Sequence, residues 1–141
     1  MFRYIRAMSF SKQAIEADIR QISGPLTDHL TKLYLFPYSE YTAHWSSEVW
    51  SFLNRVPKMK GSNKFPSKKL ILKNVSGYTD MVDEIMYFIM EEYSDLTPER
   101  YNAEELGVIM TKYFDWLAET LSSKGIIQSH ECYQQLRELG L

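Results

Sequence analysis

Seven basic side chains, Arg55, Lys58, Lys60, Lys64, Lys68, Lys69 and Lys73, stand between Glu48 and Asp80 with no acidic residue among them. Clustered lysines neutralise phosphate charge and release counterions, so such a run can hold a polyanion in a salt-dependent way. Phe65, between Lys64 and Lys68, adds an aromatic face on which an unpaired base could stack. The run equally fits an acidic protein surface, or a solvated loop whose lysines only keep the chain soluble. Lysine outnumbers arginine six to one here, whereas base and phosphate readout favours the arginine fork. No helix-turn-helix, zinc-finger or RNA-recognition motif accompanies it. A protein partner is therefore the favoured ligand of this segment, with nucleic acid as the alternative.

Other reactive residue types give weaker patterns. On a helix His44 and Glu48, four apart, share a face; with His29 or His130 they could form a metal site or an acid–base pair. An exposed ion pair explains the same spacing. Three histidines without an HExxH motif make a poor ligand set, so neither metal nor cofactor is expected. Cys132 and His130, two apart, do not face each other on a helix, and Cys132 reads as a small buried hydrophobe. Met81, Met86, Met90 and Met110 fall on two successive helical stretches, where they fill a core or line a small-molecule pocket. Seven aromatic residues lie between Tyr34 and Phe52. Tyr41, Trp45 and Phe52 follow a core stripe; Trp50 falls off it and, with Tyr38, is a candidate interface anchor. There is no Gly-rich phosphate loop, nucleophile elbow or dinucleotide fingerprint. No catalytic residue is assigned, and an enzyme is the least favoured class.

The elements that must position these residues read as helices. Ser9 or Ser11 is expected to cap a first helix carrying Ile15, Ile19 and Ile22, which Gly24-Pro25 interrupts because proline lacks a donor and restricts its neighbour. Leu26, Leu30 and Leu33 predict a second short helix, closed at Phe36-Pro37. A third is expected from about Ser39 to Arg55. Residues 58–66 read as a solvated loop; Lys69 to Lys73 could be a strand, but a single strand has nothing to pair with, so a short helix capped by Ser67 is expected there. Met81 or Val82, with Ile85, Met86, Ile89 and Tyr93, marks the next helix from near Thr79 or Asp80, with Asp80, Asp83 and Glu84 in its first turn. Asn102 and Glu105 resemble a capping box before a long helix from Leu106 to Leu121, which Gly125 is expected to end. Ser129 is expected to cap a last helix with Cys132 and Leu136.

These readings predict one all-α domain over 1–141, an irregular bundle of five to seven helices with a basic linker over about 57–78. The 141 residues suffice for one core. No apolar run reaches the roughly 20 residues that span a bilayer, and the opening residues lack a signal-peptide pattern. A lone cysteine suits a reducing compartment, with the cytoplasm as the default. Residues 1–73 hold 12 basic and 5 acidic side chains, a net of +7; residues 74–141 hold 4 and 13, a net of −9. The expected function is a non-catalytic protein-interaction module, self-association included, since the basic segment of one copy could meet the acidic helices of another. Polyanion binding through residues 55–73 and a Met/aromatic small-molecule pocket are the alternatives.

Overall fold

The computed structural model describes residues 2–55, 67–124 and 126–141. Its described residues form six α-helices and one 3-10 segment, with no strand. The helices are α1 (Phe2–Leu35), α2 (Thr42–Leu53), α3 (Lys68–Val75), α4 (Val82–Glu92), α5 (Ala103–Lys124) and α6 (Ser129–Glu138), with the 3-10 segment over Ser76–Met81. This is the all-α bundle that the periodicity predicts.

α1 is the centre of the bundle and packs against α2, α3, α4 and α5. Leu26, Leu30, Leu33 and Tyr34 on α1 are fully buried, as are Leu106, Met110 and Tyr113 on α5. The predicted break at Gly24-Pro25 does not occur: α1 runs through Pro25 as one helix of 34 residues. Gly24 has no Cβ to clash with the proline ring, which removes much of the usual restriction on the preceding residue. Pro25 and Gln21 are exposed, so the helical carbonyl that loses its donor lies on the wet side. Burial on both sides of the proline then outweighs the local cost. Along the dry side Ser23, Thr27 and Thr31 donate their hydroxyls to carbonyls four residues back at 2.6–2.8 Å. Ser23 Oγ also reaches the Asn74 carbonyl at 3.1 Å, tying α1 to the end of α3.

The C-terminus of α1 is closed from outside. The Tyr34 carbonyl accepts from Arg100 Nε at 2.7 Å, the Leu35 carbonyl from the Glu99 amide at 2.9 Å, and the Phe36 carbonyl from Thr42 Oγ1 at 3.0 Å. Carbonyls that a helix end leaves unpaired thus each find a donor.

Two predicted N-caps form and two do not. Ser9 and Ser11 lie within α1, which begins at Phe2. The Leu70 amide donates to Ser67 Oγ at 3.2 Å, and the Glu105 amide to Asn102 Oδ1 at 3.0 Å. Ser129, by contrast, is the first residue of α6; Gln128 takes the cap position in an extended conformation without a side-chain bond. Residues 68–75 of the expected linker are helix, because Ile71 and Val75 enter the core. The expected Gly125 cap and the loop over 58–66 lie outside the described residues. α6 ends in a Schellman arrangement: Leu141 N–H donates to the Leu136 carbonyl and Gly140 N–H to that of Arg137, with Gly140 at φ +78°.

Candidate functional site

α4 turns Val82, Met86 and Ile89 into the core. Its next stripe, Met81, Ile85, Phe88 and Glu92, follows the four–three–four spacing of one helix face and looks out beside α1. Gly24 and Asp28 of α1 line the other side. The result is a surface groove of about 240 Å³ lined by Gly24, Asp28, Met81, Ile85, Phe88, Ile89 and Glu92. Phe88 is 67% exposed and Met81 45%. Two large apolar side chains, one on α4 and one at the end of the 3-10 segment before it, are thus open to water beside the groove.

The rim of the groove is acidic. Asp28 and Glu92 stand at one end, and Asp80, Asp83, Glu84 and Glu91 are exposed along α4 and its approach. Residues 74–99 contain seven acidic side chains and no Lys, Arg or His. Asp28 accepts from Lys32 Nζ at 2.7 Å. Lys32 is only 8% exposed, and its ammonium lies 5.9 Å from the Trp45 ring and 5.4 Å from the Tyr93 ring. Burial pulls the Lys32 ammonium toward its neutral form, but the bond and charge of Asp28 prevail and its pKa is raised.

Behind this end His29, His44 and Glu48 meet. Glu48 bonds His29 Nε2 through one oxygen and His44 Nε2 through the other, the latter at 2.7 Å. Burial pushes the Glu48 carboxyl up; the hydrogen bond and charge of His29, with His44 and Lys32, outweigh it and hold the pKa below its ordinary value. His29 Nδ1 also meets the Pro25 carbonyl at 2.8 Å. His29 thus links the Pro25 carbonyl on its own helix to Glu48 on α2. The sequence pairing of His44 with Glu48 is present, and His29 joins it. His130 enters none of these bonds, and among the described residues no cluster of three or more His, Cys, Asp or Glu has metal-holding geometry.

The basic segment is divided. Lys58, Lys60, Lys64 and Phe65 lie outside the described residues. Lys68 Nζ bridges Asp115 Oδ1 at 3.1 Å and Glu119 Oε2 at 3.2 Å on α5, bonds that raise its pKa. The acidic half therefore neutralises this lysine within the chain. Lys69 and Lys73 are exposed, with no ion pair among the described residues, and Arg55 lies 5.7 Å from the Phe52 ring. The expected anchor pair separates: Tyr38 is 85% exposed, whereas Trp50 is half-buried and packs on the core. Of the predicted core stripe Trp45 is buried, Phe52 half-buried and Tyr41 exposed.

The methionines also split. Met86 and Met110 are fully buried, while Met81 lines the groove. Cys132 is buried too, and desolvation pushes its thiol up to about 12 against a smaller opposing pull from Tyr113. The groove itself was hidden in the sequence, because Met81 and Ile85 keep the same helical period as the core. The only signal was Phe88, an aromatic off the inward stripe and next to Tyr87. The chain matches no protein-family model, no curated protein and no solved structure.

Proposed function

We propose that the chain is a non-catalytic interaction module that holds a basic amphipathic helix in the groove between α1 and α4. The observation that carries this reading is the open apolar stripe of Met81, Ile85 and Phe88 bounded by the carboxylates of Asp28 and Glu92. A helix laid in such a groove buries anchors at i, i+3 or i+4, and i+7, while its lysines and arginines meet the rim. Anionic lipid or nucleic acid would be repelled by the same rim. No helix among the described residues is long and apolar enough to cross a membrane. The engagement of His29 and His44 with Glu48, and the burial of Cys132, favour a binding role over catalysis. The lone thiol supports the cytoplasm as its compartment.

Titration of isotope-labelled protein with a helical peptide bearing leucines at i, i+4 and i+7 between lysines tests the reading. Amide shifts confined to residues 24–28 and 81–92 are expected. No shift up to about 1 mM peptide would overturn it.

A second reading, polyanion binding through α3, is favoured by the exposure of Lys69 and Lys73, which make no ion pair among the described residues. It requires salt-dependent binding to single-stranded RNA or DNA that Lys69→Glu/Lys73→Glu abolishes.

A further inference from the structure

We infer that the groove between α1 and α4 receives residues 2–15 of α1 from a second copy of this chain. This rests on the groove reading and names its occupant. The charges are complementary: residues 2–15 carry Arg3, Arg6 and Lys12 and no acidic side chain, against Asp28 and Glu92 at the groove and the exposed Glu84 and Glu91 on α4. The segment belongs to a helix, and its sequence places Phe2, Ile5, Met8 and Ile15 among those charges. That composition is what an apolar floor with an acidic rim selects.

The chain's other described basic helix is a poor candidate. α3 commits Ile71 and Val75 to its own core and packs Leu70 and Leu72 against it, so it has no apolar anchors left to dock. Nor can residues 2–15 reach the groove of their own chain. They are continuous with the helix that forms its wall at Gly24 and Asp28, and α1 is unbroken from Phe2 to Leu35. The occupant must come from another copy. Fourteen helical residues measure about 21 Å and the eleven of α4 about 16 Å, so the segment is long enough to span the whole of α4. The exchange is reciprocal across a two-fold axis, which closes the assembly at two copies. Opposite charge sets encounter and orientation, while burial of Phe88 and Met81 holds the pair together.

Analytical ultracentrifugation of the full chain at tens of micromolar tests this. The expected result is a dimer whose dissociation constant rises about tenfold between about 50 and 500 mM NaCl. Phe88→Glu, a change at an exposed side chain, is expected to be monomeric with an unaltered helical circular dichroism spectrum. Arg3→Glu/Arg6→Glu probes the same contact from the other side and is also expected to be monomeric. A labelled peptide of residues 2–15 is expected to bind that double variant and not Phe88→Glu. A monomer that binds the leucine–lysine peptide but not residues 2–15 overturns this inference and leaves the groove reading standing. A monomer that binds neither peptide overturns both. A dimer indifferent to Phe88→Glu and to the arginine reversal overturns the inference alone.

Discussion

The guanidinium of Arg100 lies 4.3 Å from the centroid of the Tyr34 ring and donates from Nε to the Tyr34 carbonyl at 2.7 Å. It also bonds the Gly140 carbonyl, so one side chain joins the end of α1, the loop before α5 and the end of α6. Truncating it leaves a helix-end carbonyl unpaired and removes a stacked cation. Arg100→Ala is expected to cost about 2–3 kcal/mol in urea unfolding. Arg100→Lys should recover less than half, because an ammonium cannot stack and fork together.

Gly140 answers to the same contact. Its φ of +78° strains any L side chain, and a Cβ there would stand 3.4 Å from Arg100 Nη1. Gly140→Ala is expected to lower stability by about 1–2 kcal/mol, measured by the same unfolding curves. In an Arg100→Ala background the crowding disappears but the backbone strain remains, so most of the loss should persist.

Glu48 makes acid stability depend on one carboxylate. Its folded pKa is held below the ordinary value of 4.5, so its contribution is present above that value and lost as pH falls through the folded one. Glu48→Gln should therefore have a lower urea midpoint than the parent at pH 6. The gap should narrow as pH drops below about 4.5, toward the folded-state value. A gap that stays constant over this range would show that the carboxylate charge contributes nothing through His29 and His44.

The Tyr113 hydroxyl is buried without a well-formed hydrogen bond, beside the Cys132 thiol. Desolvation of an unpaired hydroxyl outweighs whatever the sulfur returns. Tyr113→Phe is expected to raise stability by about 1 kcal/mol. Cys132 in the folded chain should resist a thiol reagent at pH 8, with modification proceeding only as fast as the chain opens, since burial withholds the thiolate.

Helix periods and two caps were legible in the sequence because their causes are local. Ser67 and Asn102 each bond an amide three residues on, and Val82, Met86 and Ile89 meet the core at helical spacing. The rest depends on residues far apart along the chain. Arg100 finds its partners 66 and 40 residues away, and His29 finds Glu48 across 19, so no spacing rule announces either. The groove escaped for a different reason. A periodic apolar stripe says which residues share a face, and only the packing of α4 against α1 decides which of its faces stays open.

Pro25 is where local chemistry and tertiary packing disagree most, and that disagreement can be measured. Proline in a helix interior costs about 3 kcal/mol relative to alanine, partly offset by about 0.4–1 kcal/mol through the less flexible unfolded chain. The carbonyl of Pro25 that meets His29 Nδ1 is backbone and survives substitution. The ring is exposed, so its removal opens no cavity. Pro25→Ala is therefore expected to raise stability by about 2 kcal/mol in urea unfolding. It should also protect the new amide at position 25 in hydrogen exchange, through a bond to the Gln21 carbonyl. A neutral or destabilising result would mean that α1 bends at Gly24-Pro25 to fit α4, and that the groove wall depends on the proline.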